Sequence, residues 1–290
     1  MNTGFRSLHP VTSLLFYILI FSLCLTATHP AVLICIFICG IAYNTKNSGQ
    51  KALKLVIKLI LPMIIISALI NGLFSHFGVT VLFTLPDENV FTLESVVYGL
   101  VFAFRAGCML LWLISFNEVL TGDKIIFLFG RISPKIALII SMALRFIPLV
   151  LHQSEEINLA AKGIGNSSSG SFIKRIKNAS KRLSVLVSWS LERGTDTLNS
   201  MNARGYGLKG RSAYNPYVFS FKDICAAIIL AAASVSQIIA KSSLNSVYNP
   251  EIIIPLPDIS GIIAILFTLI LLLFPLIFDI REERKWSISE

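Results

Sequence analysis

Two stretches of this sequence carry chemically capable residue types at a spacing that chemistry can use. The stretch "MNARGYGLKGR", residues 201–211, satisfies two phosphate-loop patterns: Gly205, Gly207 and Gly210 read G-x-G-x-x-G, and Gly205 to Ser212 reads G-x-x-x-x-G-R-S. The stretch "HQSEE" sets His152, Glu155 and Glu156 at i, i+3 and i+4, one face of a helix, where an imidazole and carboxylates can hold a metal ion. The first would make the chain a nucleotide binder and the second a metal-dependent enzyme. Both depend on their surroundings. A glycine loop cradles phosphates when a strand delivers the chain and a helix start receives the charge, and a metal site needs further ligands close by.

Those surroundings are the sequence of a membrane protein. Of 290 residues, 54% are hydrophobic and 14% charged, against roughly one quarter charged in a soluble domain. Crossing about 30 Å of hydrocarbon takes roughly 20 apolar residues. Such runs lie at about 11–28, 55–75, 95–117, 222–240 and 259–279. A shorter run, "PAVLICIFICGIAY", follows the turn Thr28-His29-Pro30 and reads as the returning arm of a hairpin. The expectation is an all-α, polytopic membrane protein with about six transmembrane helices. No cleavable signal peptide is expected, because the first apolar run leads straight into a second one. Cys24, Cys35, Cys39, Cys108 and Cys225 all lie in apolar segments and read as small buried hydrophobes.

Positive charge orients the spans, since cytoplasmic loops accumulate Lys and Arg. Basic residues cluster at 46–58, 124–135, 145–222 and 281–285, whereas "SHFGVTVLFTLPDENVFTLE" has none and 241–258 has only Lys241. Both termini and the long basic insert are therefore expected in the cytoplasm. The net charge of +9 follows from this distribution and implies no nucleic-acid partner. Three regions result: an N-terminal transmembrane bundle of four spans over 1–132, a cytoplasmic helical module over 133–221, and C-terminal transmembrane spans with a cytoplasmic tail over 222–290.

Within the module, Ser133 and Pro134 open a helix that begins apolar, ends polar and is expected to kink at Pro148. After the linker "GNSSSGS" at 165–171, a second helix is predicted from about Lys174 to Arg204. It carries an amphipathic stripe of Leu183, Val187, Leu191, Gly194, Leu198 and Met201. The glycines of 205–210 thus follow a helix and not a strand, and Arg211 stands where a P-loop needs lysine. They read as a helix stop. Ala161-Lys162-Gly163 and Ala203-Arg204-Gly205 are two alike helix ends, each with a small residue, a cation and a glycine. Such an end can enter a groove of another protein and meet an acidic residue there; ordinary capping of the helix is the competing reading.

Taken together, "LHPVTSLLFYI" at 8–18, "MALRFIPLVLHQSEEINLAAKG" at 142–163 and "KRLSVLVSWSLERGTDTLNSMNARGYG" at 181–207 resemble the transmembrane T component of energy-coupling factor transporters, the EcfT/CbiQ-like family of vitamin and transition-metal importers. The resemblance extends over about residues 5–240. It implies a coupling subunit that binds two cytosolic ATPases through Ala161, Lys162, Gly163, Ala203, Arg204 and Gly205, and a separate substrate-binding S component through its apolar flank. It also implies that the chain is no enzyme and holds no cofactor or metal, ATP being bound by the ATPases.

Three departures stand out. Lys162 replaces the family's usual arginine, and lysine lacks the planar fork that grips a carboxylate. His9 and Ser13 stand where aspartate and lysine are usual, and the span at 259–279 is additional.

Two other classes compete with this one. A conventional ABC-type permease would line its own pathway with polar groups, yet Arg105 is the single charge deep in a span, where an arginine costs roughly 2.5–3.5 kcal/mol. An intramembrane metal enzyme built on "HQSEE" would have to recruit His9, because His29 and His76 are expected on the outer side.

Overall fold

A computed structural model describes residues 4–49, 53–54, 56–75, 77–84, 90–164, 172–208, 217, 219–240 and 243–289. Its helices are α1 (Pro10–Thr26), α2 (Pro30–Ser48), α3 (Leu61–Phe74, entered through a π-helical turn at Val56–Ile60), α4 (Leu93–Val119), α5 (Gly122–Ile132), α6 (Pro134–Gly163), α7 (Phe172–Ala203), α8 (Phe221–Ile239) and α9 (Ile259–Ser289). A helix stands at each of the six predicted spans. Five helices are long and apolar enough to cross a bilayer: α2, α3 with its π turn, α4, α6 and α9; α1 and α8 are shorter apolar helices. The chain is an all-α, multi-pass membrane protein. One short antiparallel ribbon, Val81–Thr84 with Val90–Thr92, was not expected from sequence; it pairs Val81 with Thr92 and Thr84 with Val90 between α3 and α4.

The chain divides into two compact units, residues 1–124 with 217–290, and residues 125–216. In the first, α4 packs against α1, α2 and α3, while α9 packs against α2, α8 and the 3-10 turn at Gly4–Ser7. Without a hydrophobic drive between helices in lipid, close approach of small residues carries much of the packing. Ser95, Gly99, Ala103 and Gly107 provide it at four-residue intervals along α4. A Cβ on Gly99 would stand 2.8 Å from the Ser67 carbonyl oxygen on α3, and one on Gly107 would stand 2.7 Å from Ile60. Gly99→Val is accordingly expected to destabilise the chain by about 1–3 kcal/mol or more through overpacking against fixed backbone. Thermal unfolding in detergent checks it, with Gly194→Val, whose Cβ position is open, as a control that tests only helix propensity.

Helices α1 and α2 begin with the same device. His9 and His29 occupy the N-caps before Pro10 and Pro30, and each ring Nδ1 accepts from the backbone N–H two residues on, Val11 and Ala31, at 3.3 Å. The proline adds a preset φ at the first helical position.

Several side chains inside the bundle donate to backbone carbonyls, as a low-dielectric interior favours. Asn44 donates to the carbonyls of Gly40 (2.9 Å) and Leu111 (3.0 Å), tying α2 to α4, and Trp112 Nε1 donates to the Ile36 carbonyl at 3.2 Å. Arg105 Nε donates to the Cys24 carbonyl, 3.3 Å away in the last turn of α1, where intrahelical donors run out. The half-buried cation thus sits at the negative end of a helix.

The additional C-terminal helix is part of this core. The Phe5 amide donates to the Asp279 carboxylate of α9, and the rings of Phe5 and Phe274 meet edge to face at 6.2 Å. Phe5, Phe16, Tyr17, Tyr43 and Trp112 form one aromatic cluster, with Tyr43 stacked on Trp112 at 6.1 Å.

The second unit is built on α6 and α7. Ser133 is at the N-cap and Pro134 at the first position, and the helix continues through Pro148 to Gly163. The rings of Phe146 and Trp189 stack at 5.9 Å, Arg193 lies over Trp189 at 5.8 Å, and Arg182 donates to Asn158 Oδ1 at 2.9 Å. The order of these contacts, 146 with 189 and 158 with 182, makes the pair antiparallel. No residue of α6 is buried, and in α7 only Asn178 is.

Candidate functional site: two helix ends with opposite outlooks

The antiparallel pairing sends the two Ala-cation-Gly triplets to opposite ends of the helix pair. From Trp189 to Ala203 the α7 arm extends about 21 Å past the last ring contact, at 1.5 Å per residue. Both tips are open: Lys162, Gly163, Ala203 and Arg204 are exposed, and among the described residues neither cation makes an ion pair or side-chain hydrogen bond.

The two ends differ in closure, which the sequence alone did not distinguish. At the end of α7, Arg204 is the C-cap and Gly205 follows in the left-handed region at φ 80°. The Tyr206 amide reaches back to the Met201 carbonyl at 3.0 Å and the Gly205 amide to the Asn202 carbonyl at 3.0 Å. These two bonds define a Schellman closure, which a residue with a side chain enters only with strain.

At the other end Gly163 is itself the last helical residue. Ile164, at φ −85°, is the cap and donates to the Ala160 carbonyl at 3.2 Å. Among the described residues nothing lies within 4 Å of a Cβ at Gly163. This glycine is therefore not required by the helix stop, contrary to the expectation that both glycines serve the same purpose.

The amphipathic stripe of α7 is present and uncovered. Leu183, Val187, Leu191 and Leu198 are 61, 50, 68 and 52% exposed, and Ile139, Ile147, Leu151 and Leu159 of α6 are also exposed.

The two chemical alternatives find no framework. The loop after α7 is preceded by a helix, Gly207 lies at φ 97°, and Gly210, Arg211 and the linker at 165–171 lie outside the described residues. His152 Nδ1 and Glu156 Oε1 are 3.6 Å apart, but the side chains are 74 and 56% exposed, an open i,i+4 pair on a helix surface. His9, which a metal site would have needed, uses Nδ1 to cap α1 and packs its ring on Phe219 at 5.4 Å. Among the described residues no group of three His, Cys, Asp or Glu side chains could hold a metal ion.

The fold is that of a multi-pass membrane protein whose second unit is an antiparallel pair of long helices. Comparison with known proteins gives it a family. The chain belongs to the CbiQ family, described as cobalt transport protein, whose model matches residues 2–214. Similar proteins are energy-coupling factor transporter transmembrane proteins EcfT. That of Bacillus selenitireducens is 30% identical over 193 residues, covering 60% of this chain and 70% of the relative. That of Listeria innocua is 37% identical over 102 residues (34% of this chain, 38% of the relative). That of Brevibacillus brevis is 35% identical over 96 residues (32% and 36%). The last two matches thus span well under half of the relatives' length. The resemblance to the transporter T component is borne out, and the family match ends before α8 and α9.

Proposed function

We propose that the chain is the coupling subunit of an energy-coupling factor importer in the cell membrane of a prokaryote, with both termini cytoplasmic. In this reading Ala161, Lys162, Gly163 and Ala203, Arg204, Gly205 each dock into one of two cytosolic ATPase subunits. The uncovered apolar flanks of α6 and α7 carry the S component, which binds the vitamin or transition-metal substrate. The carrying observation is the pair of open, cationic helix tips at opposite ends of one antiparallel pair, which is a geometry suited to two separate sockets. When ATP closes the two ATPases, the tips are drawn together and the stiff helices reorient the S component, the work coming from differential binding of two states. The chain itself neither hydrolyses ATP nor holds the substrate.

Purification of the chain from its native membrane under mild detergent tests this. ATPase subunits and a small substrate-binding membrane protein are expected to come with it, and the chain stripped of them is expected to bind no ATP. Saturable ATP binding to the stripped chain would overturn the reading.

A further inference from the structure

The chain leaves the first unit after Lys124 and returns to it at Tyr217, and both crossings are held at one place, the start of α1. On the outgoing side, Lys124 of α5 is only 2% exposed, and its Nζ donates to Ser13 Oγ of α1 at 3.3 Å. On the returning side, Phe219 packs on the His9 ring, and Asp223 of α8, 2% exposed, accepts from the His9 amide (2.8 Å) and the Ser220 amide (2.9 Å). The second of these bonds belongs to a capping box that starts α8. Ser13 and His9 are the two positions that depart from the usual lysine and aspartate. Here a lysine and an aspartate arrive at the same spot from α5 and α8.

Desolvation makes a buried ammonium a weak source of stability. Burial pushes the Lys124 pKa down to about 8, against the pull of the Asp223 carboxylate and with a small push from Arg6. In the unfolded chain lysine titrates near roughly 10.4. Between about 8 and that value the unfolded chain binds more protons, so this residue makes stability rise with pH; below about 8 the charge is retained at a cost. A costly buried charge that persists is best explained by the position it fixes.

We propose that Lys124 is a positioning residue for coupling, a charged pin that, with Ser13 and Asp223, fixes both crossings of the two-helix unit to the start of α1 so that its movement reaches the membrane helices. This rests on the coupling function proposed above. Among the described residues the charged or titratable groups around the pin are Asp223 from α8, Arg6 from the 3-10 turn, His9 at the α1 cap, Asp123 beside it on α5 and Tyr217 facing Asp123 at the returning crossing. Arg6 is engaged by Glu118 of α4 at 3.0 Å.

The test uses the complete native complex, with spin labels introduced as unnatural amino acids at Leu198 on the α7 arm and Glu251 on the α8–α9 loop, both exposed. The label-to-label distance is compared without nucleotide and with ATP and vanadate. Wild type and Lys124→Arg are expected to shift. Lys124→Met is expected to keep its ATPases, its basal ATP hydrolysis and a melting temperature no lower than wild type, while the ATP-driven shift falls to less than about half. Moving the wild type from pH 7 to pH 9 is expected to shrink the shift as Lys124 loses its charge, with Lys124→Arg unaffected.

An undiminished shift in Lys124→Met, or a pH response identical in wild type and Lys124→Arg, would overturn the pin. So would parallel loss of melting temperature and shift, the mark of a merely structural lysine. If Lys124→Met fails to accumulate, the pH comparison decides alone. Absence of ATPases from the wild-type preparation would instead defeat the coupling function itself.

Discussion

Arg204→Ala is expected to weaken assembly with an ATPase by about 10- to 150-fold, the equivalent of the roughly 1.5–3 kcal/mol carried by a charge-assisted hydrogen bond to a carboxylate. Arg204 is exposed at the end of α7 and its side chain makes no ion pair or hydrogen bond among the described residues, so the change removes no side-chain bond from the fold. Insertion into the membrane and thermal stability of the chain should stay at wild-type values while coupled ATP hydrolysis collapses. Lys162→Ala should cost about fivefold or less, because a lysine offers a point charge where arginine offers a fork. Titration of purified ATPase against the chain in nanodiscs measures both. Equal and negligible effects would reduce the two triplets to helix caps.

The second large effect comes from the unequal glycines. Gly205→Val should break the α7 tip, since valine resists the φ of 80° that the Schellman closure requires. A left-handed residue with a side chain costs about 1–2 kcal/mol in general and more when β-branched. The last turn should fray, and ATPase should fail to co-purify.

Gly163→Ala is the informative contrast. The residue is helical and has open space around its Cβ position, so alanine should strengthen the helix by about 0.5–1 kcal/mol. If the glycine is there to let a partner approach closely, ATPase affinity should nevertheless fall. Unchanged affinity together with a stronger helix would show that the first triplet is no docking point.

How much of this could be read in advance depends on the range of the interaction. A helix at each of the six apolar runs was legible because length and apolarity are local properties. Which helices are long enough to cross was read less well, since α1 and α8 are shorter and α6, read as a coupling helix, is long and apolar enough. The α7 stripe, with its spacing of three and four, was legible because it too is local. The glycine stop at 205 was legible for the same reason. Its difference from Gly163 was not, because the two triplets look alike in sequence and the closure is made by backbone bonds from Gly205 and Tyr206 back to Asn202 and Met201.

The histidine caps at 9 and 29 were missed because the usual capping residues are Ser, Thr, Asp and Asn. The signal available was the repeated His-Pro before each apolar run. Helix α5 was not foreseen, since 124–135 shows only as a basic cluster after the fourth span, and the strands Val81–Thr84 and Val90–Thr92 lie in what reads as a loop. The Lys124 site joins residues about a hundred positions apart, so no local pattern announces it. The additional helix α9 could be counted but not placed, since its place in the core rests on Phe5, Phe274 and Asp279 meeting across the whole chain.

The open flanks of α6 and α7 also have a cost for the cell that makes this protein. Leucine, isoleucine and valine side chains left without cover are the surface that chaperones and membrane proteases recognise, and they adhere to one another when copies meet. A copy synthesised ahead of its partners is in that state until it is covered. The expected outcome is dosage control by degradation: orphan copies are short-lived, their lifetime lengthens when the partner genes are expressed alongside, and overproduction of this subunit alone yields aggregate in place of additional transporters.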